Sequence, residues 1–197
     1  RTTFLMKIFS YQHPIVLETI KKEGIYSPSL LHEKNDFLKD CIYDSHGFLQ
    51  SYAWLQKKML EKGIASIGNP QDLIWGWGEK HSFNSFDLRY KNNRQIYNDH
   101  ILFELEIPEN RLCATCYNNW HNILNNSPIA LTDEEYDKYN VSQELKEASW
   151  NNVFDVYFNG EEPFIQYTFF QILKDDIISI KEIKNYKVHK IKNLFKN

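Results

Sequence analysis

Runs of alternating hydrophobicity and runs of helical spacing follow one another along this chain of 197 residues, and that order restricts it to a mixed fold. The plainest strand is HILFELEIP (100–108), where apolar and acidic residues alternate. MKIFSYQ (6–12) alternates in the same way, and LIWGWG (73–78) sets two tryptophans on one strand face. HPIVLETIKKEG (13–24) changes to helical spacing, with Pro14 suited to a first turn, Ile15, Leu17 and Ile20 apolar, and Gly24 as the stop. Residues 36–63 keep helical spacing through Tyr52, Leu55 and Met59, and Gly63 ends the run. CYNNWHNILNN (116–126) reads as loop passing into helix, Thr132 and Glu135 form a capping box, and 142–154 is a short helix. The last alternating core run is FIQYTFFQIL (164–173). No repeat and no low-complexity linker interrupts the series. The sequence therefore predicts an α+β fold in a single domain over residues 6–197. Met6 reads as a natural first residue, with Arg1–Leu5 an added remnant or an upstream extension.

Composition narrows the partners only a little. Net charge is -3, so the global field selects no partner class, and charged residues at 25% are ordinary for a globular protein. Aromatic residues are 15%, enough to dominate packing or line a pocket. The segment 174–197 is locally basic, with seven Lys against Asp175, Asp176 and Glu182. There, Lys181, Lys184, Lys187, Lys190 and Lys192 alternate with Ile180, Ile183, Val188 and Ile191, which predicts apolar groups packed inward and ammonium groups outward. Three cysteines, Cys41, Cys113 and Cys116, are too few for a disulfide framework and suggest a reducing, cytoplasmic setting. Cys113 and Cys116 make a C-x-x-C, but a tetrahedral zinc site needs four ligands and Cys41 is remote, so no metal is expected. No apolar stretch is long enough to span a bilayer, and no membrane partner is expected.

Several residues combine polarity with positions that suit a site. Gln166 stands among Phe164, Ile165, Tyr167, Phe169 and Phe170, where a strand core ordinarily takes apolar residues. It is either an edge amide bonded to backbone or a group facing a ligand. Trp75 and Trp77 share a strand face, and either pack inward or stack a planar ring. Asp87 and Arg89 in FDLRY have the spacing for one face, where Arg89 could meet a pyrophosphate or simply pair with Asp87. Trp120 and His121 sit among Asn118, Asn119, Asn122, Asn125 and Asn126, the densest polar and aromatic cluster in the chain. His121 could act as a general acid or base, or clamp a ligand with Trp120 beside it. No P-loop, G-x-G-x-x-G, G-x-S-x-G or H-E-x-x-H occurs.

The ordered set KIFSYQ, YAWLQKKM, LIWGW, FDLR, FELEIPEN, NWHNILNN, SWNNVFD and IQYTFFQILKDDI resembles an uncharacterised bacterial family known only as a domain of unknown function. Its members are usually written with W-T-I-Q, P-I-W-A-W, D-L-R, L-E-V-P and W-H-x-x-L-N in that order, and the resemblance runs from about Met6 to Lys184. More distantly, FSYQHPIVLETIKKEGI and IQYTFFQILKDDIISI are similar to the first and last core motifs of the DarT-like ADP-ribosyltransferases. That resemblance implies an ADP-ribosyltransferase-like core, NAD as substrate, a nucleic-acid or protein acceptor, and a setting of bacterial toxins or phage defence. It places Ser10 at the NAD-gripping position with Gln12 beside it, and Gln166 where the family keeps its catalytic glutamate.

A neutral amide retains a hydrogen bond to the reacting ribose but not the charge that stabilises it, a loss of roughly 3 kcal/mol. Glu161 or Glu162, in NGEEPF, could supply the carboxylate. The expected site therefore uses Gln166, Glu162 and His121 for catalysis, and Ser10, Gln12, Trp75, Trp77, Arg89 and Trp120 for the cofactor, with no metal. The rival expectation is a non-catalytic nucleotide-binding or interaction module on the same fold. On either account Trp75, Trp77, Arg89, His121 and Gln166 are expected around one concave site.

Overall fold

The computed structural model describes residues 4–28, 48–68, 70, 72–79, 87–158, 160 and 164–191. Its Cα packing divides the chain into two compact units, neither continuous in sequence. The first is Arg1–Pro28, Ala65–Leu112 and Tyr167–Asn197; the second is Ser29–Ile64 and Cys113–Gln166. Helices and a large antiparallel sheet together make a mixed α/β fold.

In the first unit the strands are β1 (Leu5–Gln12), β2 (Ile25–Tyr26), β3 (Ile74–Gly78), β4 (Ile101–Pro108), the end of β6 (Ile165–Phe169), β7 (Ile172–Leu173), β8 (Ile177–Lys184) and β9 (Lys187–Lys190). The main sheet runs β6-β3-β1-β4-β8-β9, and β2 pairs separately with β7. Register follows the alternation: β1 lies antiparallel to β4 from Leu5↔Pro108 to Gln12↔Ile101, and to β3 through Ile8↔Gly78 and Phe9↔Trp77. Helix α1 (Pro14–Glu23) starts on His13, whose Nδ1 accepts from the Ile15 N–H, and stops at Gly24 with φ +76°. Its buried Val16, Leu17 and Ile20 pack with Ile8, Ile74, Phe103, Leu105, Ile107 and Phe169. Each such side chain contributes about 1.5–3 kcal/mol on burial. Gly76 is required on this face, because a Cβ there would run into Ile8 Cγ2. A smaller cluster of Leu88, Leu102 and Ile183, with Phe9, Tyr11, Tyr97 and Val188 against it, forms on the opposite sheet face.

FIQYTFFQIL does not continue as one strand. β6 ends at Phe169 and β7 begins at Ile172, because Gln171 turns its side chain to the backbone of Ile67. Its Nε2 donates to Ile67 O at 3.1 Å and its Oε1 accepts from Ile67 N at 3.2 Å, a side-chain imitation of strand pairing. The basic segment likewise forms a hairpin of β8 and β9, with lysines on both faces.

The second unit contains α2 (Phe48–Glu61), β5 (Cys113–Cys116), α4 (Tyr117–Leu124), α5 (Asp133–Tyr139), α6 (Gln143–Trp150) and the start of β6; α3 (Lys91–Ile96) belongs to the first. β5 is hydrogen-bonded to β6. Trp54 on α2 meets Trp150 edge-on at 5.5 Å and stacks on Phe154 at 5.9 Å, with the Lys62 ammonium 4.3 Å from that ring's centre. Thr132 caps α5 by accepting from Glu135 N, while Glu135 accepts from Leu131 N, one residue before the usual partner in a capping box. The expected helix start over 36–47 and the residue Cys41 lie outside the described residues. Among the described residues no helix is long and apolar enough to cross a membrane.

Candidate functional site

The second unit holds the most unusual polar groups. β5 runs directly into α4, and the Tyr117 N–H donates to the Phe164 carbonyl at 2.7 Å. Two residues beyond each partner of that bond stand Asn119 and Gln166. Asn119 is 2% exposed and Gln166 4%, and the amide nitrogens Asn119 Nδ2 and Gln166 Nε2 are buried without a hydrogen-bond partner. A buried amide donor left unpaired costs about 1–3 kcal/mol, so two in one region need an explanation. Thr115 Oγ1 lies 3.5 Å from the Gln166 carbonyl, which leaves the side-chain amide untouched. Farther along β6, on the same strand face as Gln166, the Thr168 hydroxyl of the first unit is also buried without a partner.

The asparagine cluster is sorted by helical phase. α4 buries Asn119, Trp120 and Ile123 and turns His121 outward. Trp120 packs edge-on against Tyr52 at 5.5 Å, whereas the His121 ring lies 4.4 Å from Tyr117. Trp120 and His121 are thus neighbours in sequence on different sides of one helix. The signal that separates Asn119 from the other asparagines is its phase with Trp120 and Ile123. Cys113 and Cys116, three apart on a strand, point to opposite faces and are both free and buried. Burial pushes the Cys113 thiol up to about 11, with the Lys62 ammonium opposing the shift. Among the described residues no group of three or more His, Cys, Asp or Glu could hold a metal.

The first unit holds Ser10, Gln12, Trp75, Trp77 and Arg89. Ser10 is 1% exposed, and its hydroxyl donates to the Trp75 carbonyl at 2.6 Å and accepts from Gln12 Nε2 at 2.7 Å. Ser10 shares the sheet face of Ile8, while Trp77 lies opposite Phe9, so the tryptophan side chains and the Ser10 hydroxyl occupy different faces. Asp87 and Arg89 lie in the turn before α3 instead of on a strand. Arg89 Nε and Nη2 form a fork on both Asp87 oxygens at 2.6–3.1 Å, with the Arg89 side chain 89% exposed. That guanidinium, with a further hydrogen bond from the Arg89 N–H, lowers the Asp87 carboxyl to about 2. His121, Trp120 and Gln166 belong to the second unit, and Glu161 and Glu162 lie outside the described residues.

A family model matches residues 7–148, that of Domain of unknown function (DUF3841). The matched span includes Asn119, Trp120 and His121 and ends before Gln166. No curated protein and no solved structure matches the chain.

Proposed function

Since this chain belongs to the DUF3841 family, a domain of unknown function, we propose its role from the site itself: NAD-type nucleotide handling on an ADP-ribosyltransferase-like core. The observation that carries this reading is the pair of unpartnered buried donors, Gln166 Nε2 and Asn119 Nδ2. Ribose hydroxyls and the carbonyl of a nicotinamide carboxamide are the acceptors such donors lack. The sequence resemblance assigns Gln166 to the reacting ribose.

In the reaction, the bond between nicotinamide and the ribose anomeric carbon breaks and nicotinamide leaves with the bonding pair. A nucleophilic atom of the acceptor then bonds to that carbon and releases its proton. Gln166 holds the ribose hydroxyl, and a carboxylate, assigned to Glu162, stabilises the positive charge on the sugar. The proton passes to solvent, since His121 turns away from the side of α4 that buries Asn119. The acceptor is a nucleic acid or a protein, and the setting is that of a bacterial toxin or phage-defence protein. A second reading, nucleotide binding without transfer, is favoured by the neutral amide at Gln166 itself.

Free nicotinamide released from NAD by the purified protein, with cellular RNA, DNA or protein added in turn, is the deciding measurement. Release that Gln166→Leu and Glu162→Gln each reduce by about a hundredfold or more is expected. No release under any condition would replace the transferase by the binding module.

A further inference from the structure

Tyr186 occupies a backbone position that a tyrosine has little reason to hold. The β8–β9 hairpin closes on Lys184↔Lys187 with the two-residue loop Asn185 and Tyr186, both at positive φ (51° and 59°). Such turns favour Asn-Gly, and a bulky residue in the left-handed region costs about 1–2 kcal/mol. Tyr186 is 57% exposed, so much of its ring faces solvent. Strain kept at a largely exposed aromatic side chain points to a use outside the fold.

The surroundings state what that use is. Arg94 on α3 donates from Nε to the Tyr186 carbonyl at 3.1 Å and from Nη1 to the Leu88 and Arg89 carbonyls at 2.6 and 2.7 Å. One guanidinium therefore holds the hairpin tip and the turn before α3 together, with the Tyr186 and Arg89 carbonyl oxygens at most about 8 Å apart. The Tyr186 N–H is fixed as well, donating to Asn98 Oδ1 at 2.9 Å. Tyr90, next to Arg89, is 56% exposed, so two tyrosine rings stand free on segments that one side chain clamps. Around them Lys91, Lys184, Lys187 and the 89% exposed Arg89 point to solvent. The nearby acids are Asp87, bound to Arg89, Asp99, which accepts from Asn98, and Glu182. Exposed rings interleaved with cations are what a single-stranded nucleic acid binds, stacking its bases and neutralising its phosphates.

We propose that the tip formed by α3 and the β8–β9 hairpin is a docking surface for single-stranded nucleic acid, with bases stacked on Tyr186 and Tyr90 and phosphates met by Lys184, Lys187 and Lys91. This names the acceptor class for the transferase reading and rests on it for that meaning only. Binding is measured without NAD, so the surface and the transfer chemistry fail independently.

The experiment follows fluorescence anisotropy of a labelled single-stranded RNA of about 15 nucleotides at about 50 mM and about 200 mM salt. Intact protein, Tyr186→Gly, and the double change Lys184→Glu with Lys187→Glu are compared. Tyr186→Gly relieves the backbone, so its Tm should equal or exceed that of the parent while affinity falls about tenfold. The lysine variant should bind weakly at both salt concentrations and show a shallower salt dependence. Absence of binding by the intact protein, equal affinity of Tyr186→Gly, or tighter binding of the duplex form of the same sequence would each overturn the proposal. Displacement of the RNA by polyglutamate at matched charge concentration would also overturn it, in favour of an acidic protein segment.

Discussion

At the scale of single residues, the buried amide of Gln166 is both the feature most legible in the sequence and a testable liability. A glutamine inside an aromatic run is visible without coordinates; that its Nε2 has no partner is not, because satisfaction depends on what β5 brings beside it. Replacing it by methionine keeps the length and removes the unpaired donor. Gln166→Met should leave folding free energy unchanged or raise it by about 1–2 kcal/mol, read from urea unfolding, while abolishing any nucleotide binding. A loss of about 3 kcal/mol instead would mean that the amide is already satisfied inside the fold. Asn119 was hidden for another reason, since five asparagines look alike until helical phase turns one inward. Cys113 offers a pH test. Its folded thiol is raised to about 11 from an ordinary value near 8.5, so the folded state holds its proton more tightly than the unfolded chain. The stability this contributes is complete below about pH 8.5 and is lost as pH climbs toward 11. Tm of the parent should therefore fall more steeply across that interval than Tm of Cys113→Val, and identical slopes would count against the assignment.

At the scale of elements, strands β1, β3 and β4 and helix α1 follow from alternation, spacing and a terminal glycine within a residue or so of their predicted bounds. β6 and β7 do not, because the break between them is made by a long-range partner. Nothing local in FIQYTFFQIL says that Gln171 will bond to Ile67. The same region is anchored by Arg111, whose guanidinium donates to both oxygens of Asp176 at 2.7 and 2.9 Å and to the Gln171 carbonyl at 3.0 Å. Asp176 also accepts from the Leu173 N–H at 2.8 Å. With the two side chains 13% and 6% exposed, this is a buried pair, and removing one partner strands a charge. Asp176→Asn should cost about 3–5 kcal/mol by chemical denaturation. Changing both Arg111→Met and Asp176→Leu should recover most of that loss, and a double variant no better than the single would show that the backbone bonds carry the anchor.

At the scale of the whole molecule, the division into two units left no mark in the sequence, because no glycine-rich or proline-rich linker separates them. Each unit is assembled from separated stretches, so their limits are properties of packing and not of composition. A chain ending at Leu112 retains β1, β3 and β4 but loses β8, which pairs with β4 from Ile101 to Leu105. Such a truncation should lack a cooperative thermal transition by circular dichroism, and a sharp transition would mean that the elements before Cys113 suffice without β8. The sheet order carries a last consequence. Among the described residues β9 stands at the edge of the sheet, four residues long, with Lys187 and Lys190 exposed upon it. An edge strand is where the sheet of another molecule can join, and short length and ammonium groups are the usual defence against such joining. Lys187, assigned to phosphate, is thus also a guard against edge-to-edge joining, so exchanging it for an uncharged β-former would remove both roles at once.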